Sequence, residues 1–270
     1  MNGRSAQRFA GRSVLVSGAG GGIGRATARA FAAEGADVTC ADVDAEAAAA
    51  TAELLQAEGA TARTVGCDVT VVDDVVRAVA AAVDATGRLD VLTNVAGVGA
   101  FAPTGEVTLE QWNRTLAVNL TGTFLMCQQA LPALVASRGN IVNVASVAGV
   151  RAVPYNAAYC ASKGGVVMLT KSLAVEFGGE GLRVNCVCPS SVATAFEQRA
   201  VDRVREREVV EERCGHGVRA HAVDPHAPAA VLDGQRLGEH DHPALRGAVR
   251  GVVGHRPHAR DRRDVHDAAA

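Results

Sequence analysis

Short apolar runs alternate with segments of helical hydrophobic periodicity along the first two thirds of the chain. The apolar runs have the length and composition of buried strands, and they predict strands at residues 13–17, 37–41, 61–66, 90–93, 140–145 and 182–188. The helical segments lie between them: one ends at Gly35, and the others span residues 45–58, 71–85, 109–136 and 157–177. Strands that alternate with helices predict right-handed crossovers and a parallel sheet covered by helices on both faces.

This order of elements predicts an α/β fold, a doubly wound parallel sheet of Rossmann-like type, as a single domain over residues 11–196. In such sheets, ligands bind beyond the carboxyl ends of the strands, where the strand order reverses. The residues that follow the predicted strands are therefore the first candidates for a functional site.

The composition is that of an ordinary globular protein. The 270 residues are 48% hydrophobic and carry a formal charge of −2, which gives no indication of a nucleic-acid or membrane partner. The chain has no apolar run of membrane-spanning length, and residues 1–11 lack the apolar stretch of a signal peptide. The 7 Cys are scattered without CxxC spacing, so we expect reduced thiols, no metal site and a cytoplasmic location.

The first predicted strand leads into a glycine-rich turn, residues 17–24 with the sequence SGAGGGIG, which opens a helix. Gly18, Gly22 and Gly24 permit a positive φ and a close backbone approach, and the N-terminus of the following helix can face a pyrophosphate. Together with Ile23 they form a candidate dinucleotide-binding turn. The alternative is a flexible glycine loop.

A carboxylate, Asp42, ends the second predicted strand, about twenty residues beyond the glycines. It can accept hydrogen bonds from the ribose hydroxyls of adenosine and would repel a 2′-phosphate. Residues 18–24 contain no Lys or Arg, and Arg25 is expected to face along the helix, so the charges favour NAD over NADP. The alternative is a helix N-cap at Asp42 or Asp44, which fits Asp44 better.

Further polar and small residues have both a functional and a structural interpretation. Asp68 follows the third strand and can accept a bond from the adenine amino group or cap the next helix. Asn94, Ala96 and Gly97 follow the fourth strand, where small residues let the backbone approach a cofactor, although a simple turn has the same sequence. Asn119 lies within a predicted helix, where Asn has mediocre propensity, and it is either functional or a satisfied polar core residue.

Tyr159 and Lys163 lie about one helical turn apart in the last predicted helix. A phenol has a pKa of about 10, which makes it a poor proton donor or acceptor at neutral pH. A fixed ammonium beside it favours the phenolate and lowers this pKa toward the working range. Such a pair also occurs on ordinary helix surfaces, but Ser146 lies upstream and the glycine turn precedes all three, and together they indicate hydride transfer.

The residues from about 11 to 194 resemble the short-chain dehydrogenase/reductase family. The spacing of Ser146 to Tyr159 and that of Tyr159 to Lys163 both match the family, which is more specific than any single motif. The residues that match its motifs are, in chain order, Gly18, Gly22, Gly24, Asn94, Ala96, Gly97, Asn119, Ser146, Tyr159 and Lys163.

The resemblance implies reversible oxidation of a secondary alcohol to a ketone with a nicotinamide cofactor. It assigns Tyr159 to proton transfer with the substrate oxygen and Ser146 to holding that oxygen. It implies that Lys163 lowers the pKa of Tyr159 and binds the nicotinamide ribose, and that Asn119 holds a water linking Lys163 to solvent. The remaining cofactor-binding residues that it implies are Asp68 and Val69 near the adenine, and Val192 and Thr194 at the nicotinamide carboxamide.

The chain departs from the family after Pro189. Ser190 stands where the family has Gly, and the family's seventh strand and Asp-Gly-Gly ending are not recognisable beyond Phe196. Every aromatic residue lies at or before Phe196, whereas all 8 His lie beyond it. We expect an atypical segment over 197–270, largely disordered from residue 215 onwards, and interpret it as out-of-frame translation of a GC-rich gene. A charged helix at 197–213, an interaction tail and a His-based metal site are the alternatives.

The sequence therefore predicts an NAD-dependent oxidoreductase acting on a small secondary alcohol or ketone, with no nucleic-acid or membrane partner. The homo-oligomer usual for the family lacks a recognisable interface here, because family members commonly pair through the seventh strand. The alternatives are a catalytically impaired NAD-binding protein without a complete substrate pocket, and a 3-oxoacyl-carrier-protein reductase, which usually employs NADP.

Overall fold

The computed structural model describes residues 7–190 and 192. These residues belong to the unit Met1–Val218. The predictions for Thr194, for the segment 197–270 and for a seventh strand lie outside the described residues. No helix in the described part of the chain combines the length and the apolar content needed to cross a membrane.

Parallel strands form one 6-stranded sheet in the order β3-β2-β1-β4-β5-β6. The strands are β1 (Ser13–Ser17), β2 (Asp37–Asp42), β3 (Ala62–Gly66), β4 (Val91–Asn94), β5 (Asn140–Val144) and β6 (Arg183–Val187). Each neighbouring pair is parallel, as predicted. The order reverses between β1 and β4, because the chain returns from β3 to the other side of β1.

The helices lie between the strands in the chain and cover both faces of the sheet, which confirms the doubly wound fold. They are α1 (Gly22–Ala33), α2 (Ala45–Ala57), α3 (Val72–Asp84), α4 (Leu109–Leu116), α5 (Gly122–Ser137) and α6 (Ala157–Phe177). Successive residues of β1 point to opposite faces: Val14 and Val16 pack with α1 and α2, and Leu15 packs with α3, α5 and α6. Both faces of the central strands β1 and β4 are buried, whereas the edge strands β3 and β6 are partly exposed.

The predicted helical stretch over 109–136 is confirmed, and a π-helical turn that the sequence did not predict, Ala117–Thr121, lies within it between α4 and α5. Asn119 lies in this turn, and its side chain hydrogen-bonds both backbone groups of Val98, in the segment after β4. A π-turn is rare and is often found at functional sites. The contact that accompanies it is tertiary, so hydrophobic periodicity along the helix does not reveal it.

Candidate active site

A cavity of about 740 Å³ lies at the carboxyl ends of the strands, around the point where the strand order reverses. Its wall brings together most of the predicted site residues: Gly18, Gly22, Ile23, Gly24, Asp42, Asp68, Val69, Ala96, Gly97, Ser146, Tyr159, Lys163 and Val192. Ser190, at the departure from the family pattern, also lines it. The side chains of Asn94 and Asn119 are buried and are not part of this wall.

The glycine turn between β1 and α1 has a shape that only glycine permits at several positions. Gly18 and Gly22 have φ values of +69° and +50°, in the left-handed region. A Cβ on Gly24 would lie 1.9 Å from the carbonyl oxygen of Gly18, and one on Gly18 would lie 2.6 Å from the backbone nitrogen of Ala96. The turn therefore packs closely against its own helix and against the segment after β4. A merely flexible loop would not require glycine at these positions.

The first turn of α1 presents backbone N–H groups to the cavity. Gly21 occupies the N-cap position and makes no side-chain cap bond, so these amides are not closed off by a side chain. With the close approach that the glycines allow, the turn fits the pyrophosphate of a dinucleotide cofactor.

Asp42 holds the glycine turn from the side of β2. Its Oδ2 accepts a hydrogen bond from the backbone N–H of Gly20 at 2.8 Å, and its Oδ1 accepts one from that of Asp44 at 3.0 Å. Asp44 is the N-cap of α2, through a bond from the N–H of Ala47 at 3.0 Å. The structure thus separates the two roles that the sequence left open: Asp44 caps the helix and Asp42 faces the cavity.

Arg25 and Thr51 hold the same turn from the side of the helices. Arg25 donates through Nη2 to the carbonyl of Gly20 at 2.6 Å and through Nε to Thr51 Oγ1 at 2.9 Å. Thr51 is fully buried and donates to the carbonyl of Ala19 at 2.8 Å. Two carbonyls of the turn therefore accept hydrogen bonds from side chains, and the Arg25 guanidinium contributes two of its donors to protein acceptors.

Asp68 lines the cavity after β3 and does not cap α3. Its Oδ1 accepts bonds from the backbone N–H of Thr70 at 2.9 Å and from the Thr70 hydroxyl at 2.7 Å. The N-cap of α3 is Val71, which makes no side-chain cap bond. Of the two interpretations that the sequence left open for Asp68, helix capping is thus wrong, and a place at the cofactor pocket remains.

Asn94 differs in position from the other predicted cofactor residues. Its side-chain nitrogen donates to Asn143 Oδ1 at 2.9 Å and to Cys127 Sγ at 3.3 Å, and Asn143 in turn donates to Thr170 at 2.9 Å. These groups are buried between β4, β5 and the helices that cover them. The Asn94 amide thus supports the sheet, and the cavity wall after β4 is formed by residues 95–98.

Asn119 is a fully buried and satisfied amide. Its Oδ1 accepts from the N–H of Val98 at 2.7 Å, and its Nδ2 donates to the Val98 carbonyl at 2.8 Å and to Ser162 Oγ at 3.0 Å. Both amide protons are therefore used within the protein. This side chain fixes neighbouring segments, and one lone pair of its Oδ1 is left for a further donor, so the expected role of Asn119 in holding a water stays a prediction.

The side chains of Ser146, Tyr159 and Lys163 converge after β5 and on one face of α6. A hydrogen bond joins Tyr159 to Ser146, whose Oγ also accepts from the N–H of Ala148 at 3.1 Å. Lys163 donates through Nζ to the Val144 carbonyl at 2.7 Å, and Nζ lies 5.8 Å from the centre of the Tyr159 ring. The catalytic group predicted from spacing alone is thus assembled in the cavity.

Burial dominates the electrostatics of Tyr159 and Lys163. It raises the pKa of Tyr159 above its usual value, an effect that the hydrogen bond with Ser146 only partly offsets. Burial also lowers the pKa of Lys163 to about 8. Desolvation of the phenol outweighs the favourable contact with Ser146, and the expectation that Lys163 lowers the pKa of Tyr159 stays a prediction.

The sequence of residues 12–205 matches the family model of the short chain dehydrogenases. The chain belongs to the short-chain dehydrogenase family. The sheet order, the glycine turn and the convergence of Ser146, Tyr159 and Lys163 agree with that assignment. The chain is accordingly an oxidoreductase that acts on CH–OH groups with a nicotinamide cofactor.

Several characterised members of the short-chain dehydrogenases are similar to this chain. D-threitol dehydrogenase of Mycolicibacterium smegmatis is 44% identical over 199 residues, which are 73% of this chain and 76% of that protein. Meso-2,3-butanediol dehydrogenase of Serratia marcescens is 38% identical over 226 residues, which are 83% of this chain and 87% of that enzyme. The crystal structure of levodione reductase superposes with a TM-score of 0.71 at 35% identity, covering 76% of this chain and 83% of that one.

Sequence reasoning missed residues that support the short-chain dehydrogenase site. Arg25 and Thr51 hold the turn through contacts between separate helices, which no local pattern signals. Phe101 and Asn156 also line the cavity, with the ring of Phe101 centred 6.4 Å from that of Tyr159. The sequence gives one signal for Asn156, because Asn is a preferred N-cap residue and Asn156 directly precedes α6, three residues before Tyr159.

We predict that Gly24→Ala weakens NADH binding on the order of 10-fold or more. The added Cβ would lie 1.9 Å from the Gly18 carbonyl oxygen, so the turn must move, at a cost of about 1–3 kcal/mol. Gly21→Ala is the matched control in the same turn, because a Cβ there meets no described atom within 4 Å. Fluorescence titration with NADH measures both affinities, and circular dichroism checks the fold. NADH affinity of Gly24→Ala within threefold of the parent would contradict the close-packed turn.

We predict a rise in stability with pH that depends on Lys163. Burial lowers its pKa from 10.5 to about 8, so between these pH values the unfolded chain binds more protons and the folded state gains stability as the pH rises. Lys163→Met keeps an aliphatic side chain and should abolish this gain, on the order of 1–3 kcal/mol, while raising stability at pH 7.

Urea unfolding of the parent and of Lys163→Met at several pH values between 7 and about 10 measures this difference. The comparison is needed because burial raises the pKa of Cys40 and Cys67 to about 11 and that of Cys127 to about 12, which lowers stability as the pH rises in the same window. The same pH dependence in parent and variant would show that Lys163 does not titrate as described.

Proposed function

We propose that this chain interconverts a secondary alcohol and a ketone with NAD(H), and that Tyr159 transfers the proton. The observation that carries the proposal is the hydrogen bond between Tyr159 and Ser146 in the wall of a cavity that also contains the glycine turn. One cavity therefore holds a place for a dinucleotide and a pair of hydroxyls beside it, which is what hydride transfer to a carbonyl requires.

The nicotinamide cofactor supplies the hydride acceptor or donor. Ser146 holds the substrate oxygen by a hydrogen bond, next to the phenol of Tyr159. Because burial raises the pKa of Tyr159, this phenol is protonated at neutral pH and donates its proton to the oxygen as a ketone is reduced. In the oxidation direction, Tyr159 must lose this proton before it can accept one from the alcohol.

Lys163 and Asn119 have supporting roles in this proposal. Lys163 is held by the Val144 carbonyl close to Tyr159, where its ammonium can bind the ribose hydroxyls on the nicotinamide side. Asn119 acts as a positioning residue, since its amide is bonded to Val98 and Ser162. At the other end of the cavity, Asp68 and Val69 form the wall after β3 and are proposed to contact the adenine.

The preference for NAD over NADP rests on the charges around the adenosine ribose. Asp42 presents a carboxylate at the end of β2, which accepts from ribose hydroxyls and repels a 2′-phosphate. Arg25, the nearest cation in sequence, is bonded to the Gly20 carbonyl and to Thr51. Of these two charged residues, Asp42 is part of the cavity wall and Arg25 is not, so the carboxylate is the charge proposed to meet the ribose.

The proposed substrate is a small secondary alcohol or the corresponding ketone. D-threitol and meso-2,3-butanediol, for which two similar enzymes are named, carry neighbouring hydroxyl groups, so vicinal diols are included. A cytoplasmic location is proposed from the thiols, since the described cysteines, Cys40, Cys67, Cys127, Cys160, Cys186 and Cys188, are all free.

Tyr159→Phe tests the proposed chemistry. We expect kcat to fall about 10²–10⁴-fold, the usual contribution of a general acid, while the affinity for NADH stays close to that of the parent. Steady-state assays with NAD(H) over a panel of secondary alcohols and ketones, and NADH titration, give the two values. Turnover within threefold of the parent would exclude Tyr159 from the mechanism, and NADH binding by a parent without turnover would favour a catalytically impaired NAD-binding protein.

Cofactor preference is expected to follow Asp42. The parent should bind NADH at least about 10-fold more tightly than NADPH, because the carboxylate repels the 2′-phosphate by on the order of 1–4 kcal/mol. Asp42→Ala combined with Val43→Arg should shift the preference toward NADPH. Asp42→Asn alone should reduce the ratio by which NADH binds more tightly than NADPH. Asp44→Asn is the matched control, since it removes a charge two residues away, outside the cavity wall. Tighter binding of NADPH than of NADH by the parent would overturn the assignment.

A further inference from the structure

Asn156 stands at the start of α6, in line with the catalytic residues of that helix. It is the N-cap of α6, and Tyr159 and Lys163 follow it at the spacing that places side chains on one helical face. All three residues line the cavity. Asn156 thus lies one turn beyond Tyr159, on the side away from Lys163.

The amide of Asn156 has one orientation. Its Nδ2 donates to the carbonyl of Pro154 at 2.9 Å, and because a carbonyl can only accept, the oxygen cannot take this place. Its Oδ1 therefore points elsewhere, and it is buried without a hydrogen-bond partner among the described residues. The residue as a whole is 8% exposed.

Helix capping does not account for this residue. Asn is a preferred N-cap because its side-chain oxygen accepts a backbone N–H of the first turn, but Asn156 makes no such bond. A buried acceptor left unsatisfied is destabilising, so buried polar groups are nearly always paired. The residue lines the cavity while its Oδ1 is enclosed, so a ligand in the cavity can satisfy this acceptor when the neighbouring side chains make room for it.

The backbone that leads into Asn156 is strained and held in place. Tyr155 has a φ of +60°, unusual for a residue with a side chain. Its carbonyl accepts a bond from the N–H of Ala102 at 3.0 Å, which ties this loop to the segment that carries Phe101. Strained residues that persist are held by their surroundings and cluster at functional sites.

The wall around Tyr159 is otherwise mainly apolar. Phe101, Val147 and Val153 line the same cavity, so Asn156 is a polar residue within a mainly apolar wall, with its acceptor Oδ1 enclosed behind that wall. A few placed polar groups in an apolar pocket are what orient a small ligand. Ser146 and Tyr159 are expected to hold the oxygen that reacts, and Asn156 offers an acceptor one helical turn away.

We propose that Asn156 Oδ1 accepts a hydrogen bond from a second hydroxyl of the substrate, adjacent to the carbon that is oxidised. The site would thereby select vicinal diols over alcohols with a single hydroxyl. This inference rests on the proposed function, because it takes the reacting oxygen to lie at Ser146 and Tyr159.

The test compares butane-2,3-diol with butan-2-ol, which lacks only the second hydroxyl. For Asn156→Leu, of similar size but without the acceptor, we expect the ratio of kcat/KM for the diol to that for the alcohol to fall about 10- to 100-fold. Asn113→Leu makes the same exchange on the exposed surface of α4, outside the cavity wall, and should keep the parent ratio. An equal loss for both substrates, as a displaced Tyr159 would produce, overturns the proposal, and so does an unchanged ratio.

Substrate affinity separates this inference from the proposed function. Calorimetric titration of the NADH complex with each of the two alcohols reports binding without turnover. If the parent turns over neither alcohol, the proposed function fails. The two binding affinities still show whether Asn156 contacts the second hydroxyl. A diol preference that Asn156→Leu removes supports the contact, and equal affinities of the parent for both alcohols exclude it.

Discussion

The buried amide of Asn119 is the contact on which the geometry of the site depends. It binds both backbone groups of Val98 after β4 and donates to Ser162 on α6. Ser162 in turn donates to the carbonyl of Tyr159 at 2.8 Å. One side chain thus connects the segment after β4, the π-turn and the helix that carries the proton donor. Because leaving any of these groups unpaired costs about 1–3 kcal/mol, the three segments have one favourable arrangement.

This arrangement also explains why small residues are needed after β4. A Cβ on Gly97 would lie 3.3 Å from Asn119 Oδ1 and 3.4 Å from Lys163 Nζ. The backbone at Gly97 therefore passes close to the buried ammonium that is proposed to bind the ribose. Burying that ammonium is unfavourable, as its lowered pKa shows, and only the Val144 carbonyl is seen to accept from it among the described residues. A costly buried charge beside a proton donor is typical of a site selected for function at the expense of stability.

The parts of the fold that follow from local pattern could be predicted from the sequence, and those that depend on distant contacts could not. The strands and the glycine turn were predictable because buried parallel strands are apolar throughout and because positive φ values require glycine. The π-turn was not, because its Asn119 is held by a tertiary contact with Val98 in the segment after β4. The position of Asn94 was also missed, since its partner Asn143 lies on another strand.

The predicted catalytic residues show the same division: their identity follows from spacing in the sequence, whereas their pKa values depend on burial in the fold. Tyr159 and Lys163 could be chosen from their spacing, because a helix fixes which residues share a face, and Ser146 from the Ser-to-Tyr spacing of the family that the sequence resembles. The direction of the pKa shift of Tyr159 could not, because it depends on how much water the folded chain excludes from the phenol. Sequence thus identifies the groups, and packing sets their protonation.

The carboxylate proposed to select the cofactor also shapes the turn that binds it. Asp42 accepts from the N–H of Gly20, and a Cβ on Gly20 would lie 2.8 Å from that same carboxylate oxygen. Glycine at position 20 and aspartate at position 42 are therefore constrained by one another. Removing the charge to admit a 2′-phosphate also removes the partner of a backbone N–H in the phosphate turn. Cofactor preference and turn geometry are consequently coupled. A smaller residue at position 42 would still not admit a side chain at position 20, because a Cβ there would also lie 2.9 Å from the Cβ of Ala47.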